Sequence, residues 1–337
     1  MKWLNCVLVI LFLFSCVDKK GNGIEKSFYP QRIKSFSLDN MYVPRDICCL
    51  DSFLIINDYG NEDIYSVFKT ENMFPIYSFG NRGEGPKDYI FPEKMKILED
   101  GVHIFDRALA KFNKFCFNLN NEPCHSFVKK DALLVGLNNV IPVNDFLCVA
   151  LSYGDKARYV VLKNDSLYSS SINYPDDGIA ASNIKKSLVY QGLLLKHPSM
   201  NKFVFSSYYG KILEILELDE NEDLNLIYSS YEIFPQYVPN ENSSTEMLDE
   251  NLTGFLTASV SNEYIYLLYS GMTKKDKNRN LSAKIEVYDW GGNMLRTILL
   301  DTLLSEFCVN IDNKILYGIS MDEMDNYDLV LYDISDF

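Results

Sequence analysis

Apolar residues gather along this chain in short runs that come in pairs, each pair split by a few polar or turn-forming residues. The leading runs are Phe53-Leu-Ile-Ile56, Val102-His-Ile-Phe105, Phe146-Leu-Cys-Val149, Phe203-Val-Phe205, Tyr264-Ile-Tyr-Leu-Leu268 and Ile315-Leu-Tyr-Gly-Ile319. Their partners cover Asp63–Thr70, Lys111–Asn118, Ala157–Asn164, Lys211–Glu217, Lys284–Trp290 and Asp328–Ile334. Runs this short, rich in β-branched and aromatic residues and bounded by Asn, Asp and Gly, predict strands joined in hairpins. Successive pairs start roughly 45–60 residues apart, about the length of one four-stranded blade. The recurrence predicts an all-β fold: a six-bladed β-propeller with four antiparallel strands per blade.

A further run follows each of the first five pairs and supplies an outer strand: Phe74–Phe79, Ser126–Lys129, Leu167–Asn173, Leu226–Ile233 and Leu295–Leu300. The sixth repeat reaches Phe337 without one. Arg32-Ile-Lys-Ser-Phe-Ser-Leu38, ahead of the first repeat, is the candidate for the missing strand, closing the last blade and protecting its edge. Helix is expected only in the segments Asp177–Ser187 and Asn240–Asn251. Residues 28–337 then form one domain, because each blade can bury its faces only against its neighbours.

The N-terminus follows a different rule. Lys2 precedes the apolar core Cys6-Val-Leu-Val-Ile-Leu-Phe-Leu-Phe14, too short for the about 20 residues that span a bilayer as a helix. A basic start and a short core match a secretory signal peptide over residues 1–15. Leu13-Phe-Ser-Cys16 resembles a bacterial lipobox, which implies cleavage before Cys16 and lipidation of its sulfur and new amine. Several acyl chains give a stable anchor, since each buried CH₂ contributes about 0.8 kcal/mol. Residues 16–27 would be the lipidated cysteine and a polar, Gly-containing tether. The expected location is the outer membrane, with membrane contact through the N-terminal lipid alone. Asp18 followed by Lys19 and Lys20 leaves the periplasmic and surface faces both open.

Between the first two repeats stands Phe79-Gly-Asn-Arg-Gly-Glu-Gly-Pro-Lys-Asp-Tyr-Ile-Phe-Pro92. Gly80, Gly83, Gly85 and Pro86 resemble the Gly-x-x-Gly-x-Gly-Pro-x-Glu-Phe signature of the TolB-like six-bladed propeller family, common among Bacteroidetes lipoproteins. Asp88 and Tyr89 stand where that family usually has Glu and Phe. The loop is also similar to NHL repeats, in which a glycine-rich turn precedes a strand-opening proline. The resemblance spans roughly residues 28–337 and implies a fold and a compartment, but little chemistry. Physically, the glycines suit positive-φ turns and close backbone approach. Successive N–H groups could also form an anion nest. No Gly-Lys-Ser/Thr follows, so the pattern is not a P-loop.

Charge narrows the partners. The formal net charge of −14 becomes −15 once residues 1–15 are removed with their one lysine. Such a body repels nucleic acid and anionic head groups, and the lone basic cluster Lys274–Arg279 fits a hairpin tip. No nucleic-acid partner is expected, and the chain is expected to be a monomer. Of the eight cysteines, Cys116 and Cys124 flank a turn and form a candidate disulfide in an oxidising envelope. Alternation puts adjacent Cys48 and Cys49 on opposite faces, and Cys148 and Cys308 fit the core. Asp165-Ser166-Leu167 and Asp301-Thr302-Leu303 resemble the Asp-Ser/Thr-aliphatic acceptor of Bacteroidetes O-glycosylation, making Ser166 and Thr302 candidates, each expected to follow a strand.

Innermost strands of a propeller converge on its axis, so charged residues near them can share a pocket. Arg45, Arg82, Glu84 and Arg107 are the candidate ligand-binding residues there, with Asp46, Asn57, Asp58 and Asp106 nearby. Asp58 and Asp106 equally suit capping of backbone donors in turns. His103, His125 and His197 carry no metal spacing, and no nucleophile elbow occurs, so no catalytic residue, metal ligand or cofactor is assigned. The function expected is a binding or scaffold module for an envelope protein, small ligand or glycan. The alternative is a metal-assisted, lactonase-like hydrolase or lyase holding Ca²⁺ in the channel, with Glu84, Asn57 and Asp106 as the candidate set.

Overall fold

A computed structural model of the chain describes residues 27–118, 122–154, 157–164, 166–242, 244–322 and 324–336. The expected signal peptide, Cys16 and all of the expected tether except Ser27 lie outside them; Ser27 opens the strand Ser27–Phe28. Six blades follow in chain order. Blade 1 comprises Pro44–Leu50, Phe53–Asp58, Tyr65–Lys69 and Pro75–Phe79; blade 2, Lys96–Leu98, Gly101–Asp106, Lys111–Phe117 and Pro123–Lys130. Blade 3 comprises Leu137–Asn144, Leu147–Ser152, Tyr159–Lys163 and Ser166–Ser169; blade 4, Gly192–Lys196, Lys202–Ser207, Lys211–Leu218 and Leu224–Ile233. Each of these is a separate four-stranded antiparallel sheet. Blades 5 and 6 share one eight-stranded sheet, because Met294–Val309 is the outer strand of blade 5 and continues as the first strand of blade 6. Phe255–Val260, Tyr264–Tyr269 and Ser282–Asp289 complete blade 5, and Ile315–Met321 and Tyr327–Asp333 continue blade 6.

The closing strand is the one expected. Gln31–Ser37 pairs antiparallel with Tyr327–Asp333 and becomes the fourth strand of blade 6. Arg32 pairs with Asp301 at 2.7 Å, and Tyr332 Oη donates to the same carboxylate at 2.5 Å, which ties closing strand, last blade and shared strand together. Ser27–Phe28 adds a short parallel pairing on Thr297 and Ile298 at the rim.

The apolar pairs visible in the sequence are the second and third strands of each blade. The first strands are the polar or short segments between repeats. Period-2 alternation divides each blade between its two neighbours. In blade 1, Ile55, Tyr65 and Val67 pack toward blade 2, while Leu54 and Ile56 pack toward blade 6. The same division recurs around the ring, giving six hydrophobic clusters, one for each blade interface. Cys48 and Cys49 fall into different clusters, as alternation requires, and Cys148 and Cys308 are buried.

Helix is sparse. Asn183–Val189 is the α-helix expected within 177–187, displaced toward its C-terminal end. The helix expected over 240–251 does not form. Thr245–Met247 pairs instead with Tyr237–Pro239 as a small hairpin, its register set by Val238 opposite Glu246. Asp177 joins helix and hairpin: its carboxylate accepts from Tyr190 Oη and Tyr237 Oη, each at 2.8 Å, and pairs with Lys186 at 3.3 Å.

Blades 3 and 4 are locked by a buried charge pair. Arg158 is 2% exposed and Glu214 fully buried, with Arg158 Nη1 donating to Glu214 Oε1 at 2.5 Å. Tyr159 and Tyr231 donate their hydroxyls to the same carboxylate. The guanidinium lies 4.4 Å from the Phe205 ring centre, with Tyr159, Tyr174 and Tyr190 around it. Its Nε and Nη2 have no acceptor among the described residues, and the surrounding aromatic rings offset part of the desolvation by cation–π attraction. Breaking a buried pair strands its partner charge, so Arg158→Ala is expected to cost about 3–5 kcal/mol in urea unfolding. Arg32→Ala, at the exposed Asp301 pair, should cost under about 1 kcal/mol. Equal losses would show that burial does not govern these pairs.

Candidate functional site

The six first strands run side by side around the axis, and each contributes a polar group to a plug across the channel. Blade 1 gives Asp46, which accepts from Met95 N at 2.5 Å and Ile47 N at 3.0 Å. Blade 2 gives Lys94 and Lys96, blade 5 Thr257 and blade 6 Glu306. Lys94 Nζ pairs with Glu306 and donates to Thr257 Oγ1 at 2.7 Å. Lys96 Nζ donates to Leu194 O of blade 4 at 2.9 Å and lies 3.5 Å from Asn139 Oδ1 of blade 3. Burial raises Asp46 and pushes Glu306 up to about 7 despite Lys94 beside it. Burial likewise lowers Lys96 to about 8, against the pull of Glu93 and Asp46.

The plug divides the channel into two cavities that share Asp46 and Lys94 as a common wall. The mouth at the C-terminal ends of the first strands is a cavity of about 360 Å³ with apolar walls that include Leu50, Ile97, Val260 and Val309. The opposite mouth, about 260 Å³, is polar and lined by Arg45, Glu93, Arg107, Asn138 and Tyr153 among others. Its two guanidiniums are positioned by aromatic faces: Arg45 lies 4.6 Å from the Tyr59 ring centre and Arg107 4.3 Å from that of Phe91. Arg107 Nη1 donates to Asn138 Oδ1 at 2.6 Å. Burial lifts the Glu93 carboxyl to about 7, against the pull of Lys96, Arg107 and the nearby backbone amides of Asn139 and Val140.

Of the four residues proposed from sequence, the structure brings Arg45 and Arg107 into this cavity. Arg82 stands behind it, stacked 4.7 Å from the Tyr59 ring centre and donating to Tyr59 O, outside the lining. Glu84 is exposed on the glycine loop and also outside the lining. Asn57 lines the cavity, but Asp106 is committed to Ile90, Phe91 and Leu109 amides at 2.7, 2.9 and 3.0 Å. Glu84, Asn57 and Asp106 are therefore not gathered as a calcium set. Asp58 does for blade 1 what Asp106 does for blade 2, accepting from Tyr42, Val43 and Gly60 amides.

The glycine loop is a structural turn whose anion is its own. Asp88 Oδ2 accepts from Gly85 N at 3.1 Å, and a Cβ on Gly85 would lie 2.5 Å from that oxygen. Gly80, at φ +83°, turns the chain under the Tyr89 ring. Lys111 Nζ and Asn113 Nδ2 of blade 2 hold the carbonyls of Gly85 and Pro86.

The histidines have separate structural partners: His103 with Asp100, His125 with Tyr89 Oη and His197 with Asn262 O. Among the described residues no group of three His, Cys, Asp or Glu is arranged to hold a metal. Cys116 and Cys124 are direct cross-strand partners, and both are free thiols. Pro123, which lacks an N–H, occupies the neighbouring pair. The cysteines thus sit at a hydrogen-bonded position, where Cα atoms are about 5.5 Å apart, within disulfide reach. Ser166 is exposed where the outer strand of blade 3 begins, with Asp165 outside the described residues. Thr302 does not follow a strand. It lies half-buried within Met294–Val309, and Asp301 beside it is held by Arg32 and Tyr332.

Glu93, Lys94, Lys96, Asn138, Asn139, Tyr153 and Glu306 were not predicted. The available signal was Lys94-Met-Lys-Ile-Leu98, where two lysines alternate with apolar residues in a segment that must face the axis.

The plug makes stability depend on pH. Glu306 holds its proton to about pH 7 when folded but only to its ordinary value near 4.5 when unfolded. Its contribution is thus fully present below about 4.5 and lost as pH rises through 7. Glu306→Gln should flatten the fall in melting temperature between pH 5 and 8. An unchanged pH profile would remove Glu306 from the account.

A family model described as TolB-like 6-blade propeller-like matches residues 26–312. The crystal structure of a DUF4221-family member from Bacteroides vulgatus is 10% identical, covers 89% of this chain and 95% of that one, and superposes with a TM-score of 0.55. U3-55K is 9% identical, covering 90% and 99% of the two chains, with a TM-score of 0.49. The WD40 repeats of RRP9 are 8% identical, covering 90% and 98%, with a TM-score of 0.48. No curated protein matches the chain. At these identities the structural likeness speaks for the fold alone. The propeller fold serves in general as a binding or scaffold module. With six blades closed by the N-terminal strand and a family match over most of its length, the chain belongs to the TolB-like 6-blade propeller-like family.

Proposed function

We propose that this chain is an exported, lipid-anchored binding module whose ligand seat is the polar axial mouth. The ligand class is a compact anion, of which an acidic monosaccharide is the type. The observation that carries the proposal is the convergence of Arg45 and Arg107, each stacked on an aromatic ring, in one cavity of about 260 Å³. Among the described residues neither guanidinium forms an ion pair. A cavity below the roughly 300 Å³ at which drug-sized sites begin suits one sugar ring better than an extended chain. Arginine supplies forked donors that match a carboxylate. The anchor reading is supported by the Cys6–Phe14 core and by Cys16. The first described strand, Ser27–Phe28, lies at the rim on blade 5, so a tether entering there would leave the axial mouth clear.

D-glucuronate is expected to raise the melting temperature of the detergent-solubilised protein, and D-glucose much less. Arg45→Ala and Arg107→Ala should each weaken glucuronate binding by roughly 10-fold or more, as loss of a charged hydrogen bond of about 1.5–3 kcal/mol implies. Glu84→Ala should leave it unchanged. Failure of any acidic sugar to bind, or indifference to both arginine variants, would refute this seat.

Lipidation has its own measurement. Cys16→Ala should move the protein out of the detergent phase on phase partitioning, whereas retention there would exclude Cys16 as the anchor.

A further inference from the structure

The polar mouth holds a buried acceptor with nothing to accept. Glu93 sits between the loop after the glycine turn and the first strand of blade 2, lining the same cavity as Arg45 and Arg107. The backbone amides of Asn139 and Val140 of blade 3 lie near its carboxyl and favour the charged form. Its Oε2 is buried and has no hydrogen-bond partner among the described residues. A carboxylate oxygen left this way is costly, and the cost falls when a ligand donor reaches it. Arg45 and Arg107 line the same cavity, so one ligand can satisfy the acceptor and the guanidiniums together only if it is an acid that also carries a donor.

We infer that Glu93 is the specificity residue of this mouth, its free Oε2 accepting a ligand hydroxyl while Arg45 and Arg107 hold the ligand carboxylate. The inference rests on the anion-binding reading of the cavity and adds to it the choice among acids. The ligand selected is a hydroxylated acid, such as a uronic acid, over a plain carboxylate of the same size. A site built to bond a hydroxyl discriminates against an analogue that lacks it, because the buried acceptor is then left unpaired.

The test compares two six-membered-ring acids, D-glucuronate and cyclohexanecarboxylate, by isothermal titration calorimetry on the detergent-solubilised full protein. The native chain should bind glucuronate at least about 10-fold more tightly, the factor for one charged hydrogen bond. Glu93→Gln is the informative variant. With its amide oxygen toward the Asn139 and Val140 amides, its NH₂ takes the place of Oε2 and replaces an acceptor with a donor. Glu93→Gln should therefore weaken glucuronate by about 10-fold while leaving cyclohexanecarboxylate unchanged or tighter, since a negative charge has also gone. A merely structural role for Glu93 would move both ligands together, and that outcome overturns the inference. Equal native affinities for the two acids overturn it as well, while leaving the anion seat intact. Binding of neither acid refutes the seat itself.

Discussion

No blade of this protein can be stable alone. A four-stranded antiparallel sheet has two faces, and alternation makes both largely apolar here, so each must be covered by a neighbouring blade. Six hydrophobic clusters, each astride one blade interface, are the result. Every fully buried Leu, Ile or Val contributes roughly 1.5–3 kcal/mol, and that contribution exists only while the ring is closed. Closure therefore rests on Gln31–Ser37, the strand that joins the beginning of the chain to its last blade. The continuous strand Met294–Val309 strengthens the same seam from the other side by belonging to two blades at once.

Closure also decides where charge resides. The first strands of six blades meet at the axis with too little room for large apolar layers, and polar groups fill the space. Asp46, Lys94, Lys96, Asn139, Thr257 and Glu306 bond to one another or to nearby backbone, and the channel becomes two cavities rather than a pore. Away from the axis the same chemistry serves as a lock, with Arg158 and Glu214 buried between blades 3 and 4. The difference lies in what is left over. The hydroxyls of Tyr159 and Tyr231 satisfy the Glu214 carboxylate, whereas at the polar mouth Glu93 keeps an oxygen without a partner among the described residues, in a cavity lined by two guanidiniums that form no ion pair there. Surplus bonding capacity at a concave surface is what separates a seat for a ligand from a structural pair.

Much of the fold was legible because second and third strands are apolar on both faces. Their pattern survives in one dimension, and so does the pairing of Arg32–Leu38 with the last repeat. The first strands were not legible. Lys96–Leu98 is three residues long, and Pro44–Leu50 opens with Arg45 and Asp46, so neither stands out as a strand until its neighbours are in place. Asn240–Asn251 misled in the other direction: a polar segment without β-branched runs suggested helix, yet pairing with Tyr237–Pro239 made it a hairpin. Arg45 and Arg107 were identifiable as charges beside inner strands. Arg82 shared that description, but the glycine loop carries it behind Tyr59 instead.

What the sequence by itself determined is the periodic part of the protein: six repeats, alternation within each, the closing strand and the glycine turn. These are properties of neighbouring residues, governed by side-chain volume, φ preference and hydrophobic period. Only the tertiary structure decided which polar residues face the axis, which of them satisfy one another and which remain free. Glu93 and Glu306 lie more than two hundred residues apart, yet both border the channel built around Lys94. Their partners are set by ring closure, and no local pattern in the chain encodes a relation among six strands that meet only at the axis.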